Sequence, residues 1–317
     1  MRYMRRSILR FAVVTLANIA LGTLVSGSEF SVRHTDEGVG VYIDGKLFTH
    51  YLTRSGKKPI LWPIIGPTGK AMTRAFPMDE TGSVTKDHLH HRSFWFAHGN
   101  VNGANLWSEE ENTGSTRHKK FLEAVGGRTA RIVTANDWLD PQGKKLGEDR
   151  RCLTFSVANE CRLIDFDISI KASEQDLEIA DTKEGTFAIR VPDNFRPRIG
   201  KGGRIINSEG DENKATWGKR ASWVDYQGEI EGEKLGISIL NHPLSYGYPT
   251  YWHVREYGLF AANPFGGRDF TGTEAASSSV TIAAGSEISL RYRVILHRGN
   301  EVEARIDDLF KEYANLK

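Results

Sequence analysis

The chain has 317 residues with 42 Lys and Arg against 40 Asp and Glu, and a net charge of +2 gives nucleic-acid binding no electrostatic support. Its 32 glycines, 10% aromatic content and four methionines fit a turn-rich β protein better than a helical one.

At the N-terminus, Arg2, Arg5, Arg6 and Arg10 precede an apolar run from Phe11 to Leu24, and the small residues Ser26, Gly27 and Ser28 follow. This is the layout of a bacterial secretory signal over residues 1–27, cleaved near Gly27. The run is shorter than the roughly 20 residues a spanning helix needs, and Asn18 and Gly22 interrupt it. A periplasmic or secreted protein is expected, free of the membrane after cleavage, with residues 28–317 forming one domain.

Val39–Ile43 and Lys46–His50 alternate and are joined by Asp44-Gly45, which predicts a hairpin with a tight turn. Three prolines between Lys58 and Gly69 predict an ordered loop packed on the core, and residues 71–86 are irregular as well. Strands follow at residues 128–139, 146–158 and 162–172. In the last of these Ile164, Phe166, Ile168 and Ile170 alternate with Asp165, Asp167 and Ser169, the pattern of a half-buried antiparallel strand. Similar runs at 186–191, 222–230, 235–241 and 288–297 lead to a helix over 302–317, where Ile306, Leu309, Phe310 and Tyr313 keep helical spacing. The sum is mainly β: a large antiparallel β-sandwich with curved sheets and a short C-terminal helix. Cys152 and Cys161 stand either as a hairpin disulfide or as two buried thiols.

The densest chemistry lies in Asp87–Gly103, which holds four of the ten histidines. If residues 87–96 are extended, His88, His90 and Arg92 share one face while His91, Ser93 and Trp95 share the other. Imidazoles so placed can exchange protons, ligate a metal or bind hydroxyl-rich and anionic ligands. Trp95 and Trp107 could stack on a sugar ring, and Asn102 offers an amide from a turn. Glu184, just before a strand, is placed for a general base, with Lys183 and Arg190 as alternative ion-pair partners. Lys219 and Arg220 are adjacent cations that suit an anionic group or nearby acids. His242 ends an apolar strand beside Pro243, and His253, Arg255 and Tyr257 form one polar ladder if extended, with Asn263 beyond it.

Four blocks in order, D-H-L-H-H-R-S-F-W-F-A-H-G-N-V-N-G, D-T-K-E-G-T-F-A-I-R-V, W-G-K-R-A-S-W-V-D-Y and W-H-V-R-E-Y-G-L-F-A-A-N-P-F-G, resemble the bacterial PmoA-like family, a domain family of unknown function. The resemblance runs over about residues 30–315. Ser93 stands where that family commonly has glycine, which bears on the shape of the turn. The family's label, methane oxygenase PmoA, implies a membrane-embedded subunit, but nothing after residue 27 is long and apolar enough to span a bilayer, so that activity is not carried over. The resemblance implies a carbohydrate role, and the β-rich pattern is similar to the galactose mutarotase-like supersandwich, in which histidines and a glutamate move protons on a sugar.

The expected function is therefore that of an exported sugar-processing enzyme of the mutarotase, epimerase or lyase kind, acting on a small-molecule or oligosaccharide ligand. His91 or His98 and His242 or His253 are the acid candidates and Glu184 is the base. Arg92, Trp95, Asn102, Lys219, Arg220, Arg255, Tyr257 and Asn263 are the candidate substrate contacts. This chemistry needs no cofactor. The alternatives are a hydrolase or oxidase with a divalent metal on His88, His90 and a third histidine, and a non-catalytic carbohydrate-binding module.

Overall fold

The computed structural model describes residues 28–81, 85–197 and 202–317, so the signal expected over residues 1–27 lies outside the described residues. In chain order the strands are β1 (Phe30–Thr35), β2 (Gly38–Ile43), β3 (Lys46–Ser55), β4 (Lys58–Ile64), β5 (Phe94–His98), β6 (Ser115–Val125), β7 (Ala130–Leu139), β8 (Lys145–Ala158) and β9 (Cys161–Lys171). They continue with β10 (Leu177–Ile179), β11 (Gly185–Arg190), β12 (Arg204–Asn207), β13 (Trp223–Ile230), β14 (Glu233–Asn241), β15 (Tyr251–Val254), β16 (Leu259–Asn263), β17 (Val280–Ile282) and β18 (Glu287–Arg298). A short helix α1 (Gly267–Thr271) and the C-terminal helix α2 (Ile306–Ala314) complete the chain.

Two eight-stranded antiparallel sheets form a sandwich. The first has the order β1-β2-β3-β4-β5-β11-β16-β15 and the second β12-β13-β14-β18-β9-β8-β7-β6, while β10 pairs separately with β17. Alternation decides which side chains meet between them. Phe94, Phe96, Phe187 and Phe260 of the first sheet share one core with Phe166, Ile168, Tyr226 and Tyr292 of the second. The Phe187 and Tyr292 rings stack across the interface at 4.7 Å. On the outer face of the second sheet, Leu163, Trp223, Leu240 and Ile295 are covered by Ile306, Leu309 and Tyr313 of α2.

The Asp44-Gly45 hairpin forms as expected, with both residues at positive φ (49° and 78°) as a type I′-like turn requires. The stretch from Lys58 differs: it is β4, an interior strand and not a loop. The prolines fit because the pairing is sparse. β4 matches β5 only at Ile60↔Trp95 and Leu61↔Phe94, its register with β3 shifts twice, and neither Pro59 nor Pro63 is a register partner of either neighbour. Cys152 and Cys161 are free, buried thiols. They lie on the paired strands β8 and β9, but Cys152 faces Asp167 and Cys161 faces Ala158, so no cross-strand bridge can close.

One buried charge pair ties the second sheet to pH. His297 Nε2 donates to Asp225 Oδ1 at 2.8 Å and its Nδ1 donates to the Arg298 carbonyl at 3.1 Å, so the ring is held as an imidazolium. Burial pushes its pKa down, but the Asp225 carboxylate outweighs it and the net shift is upward. A raised folded pKa contributes stability that is complete below the ordinary value of about 6.5 and is lost as pH rises through the folded value. In thermal melts the gap between wild type and His297→Gln should therefore narrow as pH is raised from 6; a gap that stays constant would refute the pairing.

Candidate functional site

The outer face of the first sheet is covered by side chains from loops. Trp95 and Ala97 of β5, Ala188 of β11 and Leu259 and Ala261 of β16 form its apolar floor, closed by Trp107 and edged by Tyr257. Small side chains, Ala97, Ala188 and Ala261, lie at the centre of three neighbouring strands, and the polar blocks gather around them.

The histidine stretch is a turn and not a strand: β5 begins only at Phe94, the His91 N–H donates to the His88 carbonyl at 2.9 Å, and His88 and Ser93 adopt φ of 46° and 55°. The expected two-face alternation is therefore absent. Ser93 holds the left-handed conformation that a glycine takes without cost, and its hydroxyl donates to Thr73 Oγ1 at 2.8 Å. Buried Arg74 fastens the loop by donating to Asp87 Oδ1 and to the carbonyls of Asp87 and His88. Tyr257, His88, His91 and Trp95 then stack in sequence, with ring centres 5.1, 4.6 and 5.3 Å apart. His90 stands edge-on to His91 at 4.5 Å.

Asp87 is the anionic centre of this assembly, binding Arg74 and, at 2.7 Å, Arg190 Nη2. Burial raises its pKa, but Arg190 and Arg74 outweigh it and hold the carboxyl below its ordinary value. Arg190 Nη1 donates to His91 Nδ1 at 3.0 Å, which puts the imidazole proton on Nε2 and keeps the ring neutral. Burial, then His90 and Arg190, hold the His91 pKa well below its ordinary value. Asp87→Ala would leave two buried guanidiniums short of a counter-charge. The expected cost is roughly 2–3 kcal/mol, less than for a fully buried pair because the Asp87 side chain is 37% exposed. Urea unfolding measures it, and an unchanged midpoint would show that Asp87 does not hold the loop.

At the other end of the same strands, Glu184 precedes β11. Its carboxylate accepts from Thr182 Oγ1 at 3.0 Å, lies 3.2 Å from Lys183 Nζ, and is 35% exposed. Gly99 permits this placement: its N–H donates to the Glu184 carbonyl at 2.7 Å, and a Cβ there would lie 2.8 Å from Glu184 Cβ. Two side chains hold the segment from below. His253 Nδ1 donates to the Lys183 carbonyl at 2.7 Å, and Asn263 Nδ2 donates to the carbonyls of Thr182 and Lys183.

The field of Glu184 reaches the cluster. His90 is brought down to about 4 by burial, with Lys58 and His88 adding to the effect and Glu109 and Glu184 opposing it. His253 is also brought down to about 4 by burial, against the Lys183 carbonyl and Glu184. Burial raises the Tyr257 pKa, against Arg190 and Arg255 and with a smaller push from Asp87 and Glu184. At neutral pH the rings are therefore uncharged donors and acceptors, not imidazolium acids.

Other candidate residues are engaged elsewhere. His98 is buried, its Nε2 donates to the Ala180 carbonyl at 2.7 Å, and burial lowers its pKa to about 4, so at neutral pH it is an uncharged ring whose one N–H is engaged. His242 lies beside the second sheet. Its Nε2 donates to the Leu316 carbonyl, its Nδ1 accepts from Leu244 N–H, and its ring packs on Tyr313 of α2. Arg92 forms a two-pronged pair with Glu109, which also binds buried Lys58. Arg220 donates to the carbonyls of Gly247, Tyr248 and Pro249. Asn102 closes a turn through Asp176 and Glu178. Trp95 is 1% exposed and belongs to the floor, while Lys219 is exposed at the sheet's edge. Among the described residues no three His, Cys, Asp or Glu side chains are arranged to hold a metal, and His88 and His90 meet edge-on with ring centres 5.9 Å apart.

Arg74, Lys58, Glu109 and Trp217 were not singled out from the sequence as site residues. The first three are buried or half-buried charges whose partners lie 13 to 51 residues away in the chain, and nothing local in the sequence marks them as buried.

No helix among the described residues is long and apolar enough to cross a membrane. No curated protein matches the chain. Among solved structures it is similar to a polysaccharide lyase at 11% identity and a TM-score of 0.31, covering 86% of this chain and 33% of that one, so the chain spans about a third of the lyase's length. It is also similar to a galactose mutarotase-like protein from Lactobacillus casei at 10% identity and a TM-score of 0.35, covering 84% of this chain and all of the other. Both likenesses are distant. The family model that matches residues 38–311 carries no methane-oxygenase description, and by that match the chain belongs to the family of unknown function DUF6807.

Proposed function

We propose that the protein is an exported carbohydrate-processing enzyme that works by proton transfer, of the mutarotase, epimerase or lyase kind. The observation that carries this reading is Glu184: a part-exposed carboxylate whose segment is held by His253 and Asn263, on a face floored by small and aromatic side chains. Export rests on the N-terminal arginines, apolar run and small residues of the sequence.

In this mechanism Glu184 takes a proton from a sugar carbon or hydroxyl and becomes the neutral acid. His91, with its proton on Nε2, and neutral His90 donate hydrogen bonds to the oxygen on which negative charge develops, a role an uncharged imidazole performs without losing its proton. Tyr257, whose raised pKa keeps its hydroxyl protonated, gives a proton to the departing oxygen, and exposed Arg255 stabilises the resulting charge. His98, Asn263 and the backbone bond of His253 position the Glu184 segment.

The test is turnover against a panel of oligosaccharides and 3-keto sugars, with Glu184→Gln and Tyr257→Phe beside wild type. Saccharide binding without turnover by any protein would make this a binding module. Turnover that survives Glu184→Gln would remove the assigned base.

A further inference from the structure

Adjoining the Glu184 face, and sharing Arg255 and Tyr257 with it, lies a cavity of about 250 Å³. Its wall carries three side-chain cations, Arg196, Lys214 and Arg255, and one carboxylate, Glu256, which has partners of its own in the protein. Arg196 is anchored by Asp193, with Nη1 at 3.1 Å from Oδ1. Arg255 is different: it is exposed, and its guanidinium stands 5.6 Å from the Trp217 ring centre and 5.7 Å from that of Tyr257. Lys214 is exposed on the turn Asn213–Thr216. Trp217, Val254 and Tyr257 supply the apolar part of the wall.

A guanidinium beside two aromatic rings at the mouth of a cavity offers a planar fork that suits a carboxylate or sulfate. Aromatic walls suit the C–H face of a sugar ring. The volume is below the roughly 300–1,000 Å³ of sites for drug-sized ligands, which corresponds to a single ring and not a chain of them. The Lys219 and Arg220 pair, the cations the sequence offers for this task, does not line this cavity, and Arg220 is held by three carbonyls.

We infer that this cavity is an acidic-sugar subsite, which takes a pyranose ring bearing a carboxylate or a sulfate next to the ring on which Glu184 acts. The inference rests on the carbohydrate reading above and narrows its substrate class to acidic saccharides.

Titration calorimetry at low salt tests it with disaccharides of glucuronate and galacturonate, their methyl esters, and the corresponding 6-O-sulfated neutral disaccharides. An acidic form should bind about tenfold or more tightly than its uncharged counterpart, and the advantage should shrink as salt is added. Whether the uronate or the sulfate binds better identifies the anion. Lys214→Gln and Arg255→Gln should each reduce the preference, and the double variant should abolish it, whereas Glu184→Gln should retain it. Equal affinity for charged and neutral forms, no binding of any acidic form, or a preference that survives the double variant would overturn the subsite. Charge preference without turnover of any sugar would end the enzymatic reading and leave the subsite standing.

Discussion

Glu184→Gln should lower turnover by roughly 100- to 10,000-fold, the usual contribution of a positioned general base. Glutamine keeps the length of the side chain and can still accept from Thr182 Oγ1, so the melting temperature should move little. The loss should appear in kcat more than in KM, since the carboxylate acts on the transition state and not on ground-state binding. The neighbouring imidazoles sharpen the test. With His90 and His253 near 4 and His91 well below its ordinary value, none of them titrates near 6.5. The rate–pH profile should therefore lack a step from these three rings in that region, and a step there that disappears with His90→Gln would show that an imidazolium takes part.

The second large effect concerns stability. Asp149 and Arg151 lie two residues apart on β8 and form an ion pair between side chains only 0% and 3% exposed, with Oδ1 and Oδ2 accepting from the guanidinium at 3.0 and 2.8 Å. The same carboxylate accepts from Asn136 Nδ2 and from Trp138 Nε1, each at 2.6 Å, and Arg151 lies 5.7 Å from the Phe96 ring centre. Asp149→Ala strands a buried guanidinium, an amide and an indole N–H at once and should cost about 3–5 kcal/mol. Denaturant unfolding gives the value. Asp149→Ala combined with Arg151→Met should recover much of the loss, because the stranded charge is then gone. If the double variant is as unstable as the single one, hydrogen bonding to Asn136 and Trp138 outweighs the ion pair.

The strands with a clean period of two were legible from the chain: Ile164, Phe166, Ile168 and Ile170 are all buried and alternate with the outward Asp165 and Asp167. So were the Asp44-Gly45 turn and the apolar stripe of α2. Period and turn chemistry are local properties, and three or four neighbouring residues are enough to express them. β4 was not legible, since Pro59 and Pro63 contradict a central strand until the sparse register with β5 is known.

The site divides in the same way. That Asp87–Gly103 and residues 181–190 are dense in polar side chains was visible in their composition, and the fold places His91, His253 and Tyr257 on the face of the first sheet that Trp95, Ala188 and Ala261 floor. Which side chains remain available there was not visible. Arg92 and Glu109 are 17 residues apart, His91 and Arg190 are 99, and His242 and Leu316 are 74. The sequence by itself determined a two-sheet β protein and the blocks that hold its polar residues, because alternation and turns are encoded locally. Only the tertiary structure decided which imidazoles are neutral, which arginines are paired and that Arg255 faces a cavity, because burial and partner choice arise where distant strands are brought into register.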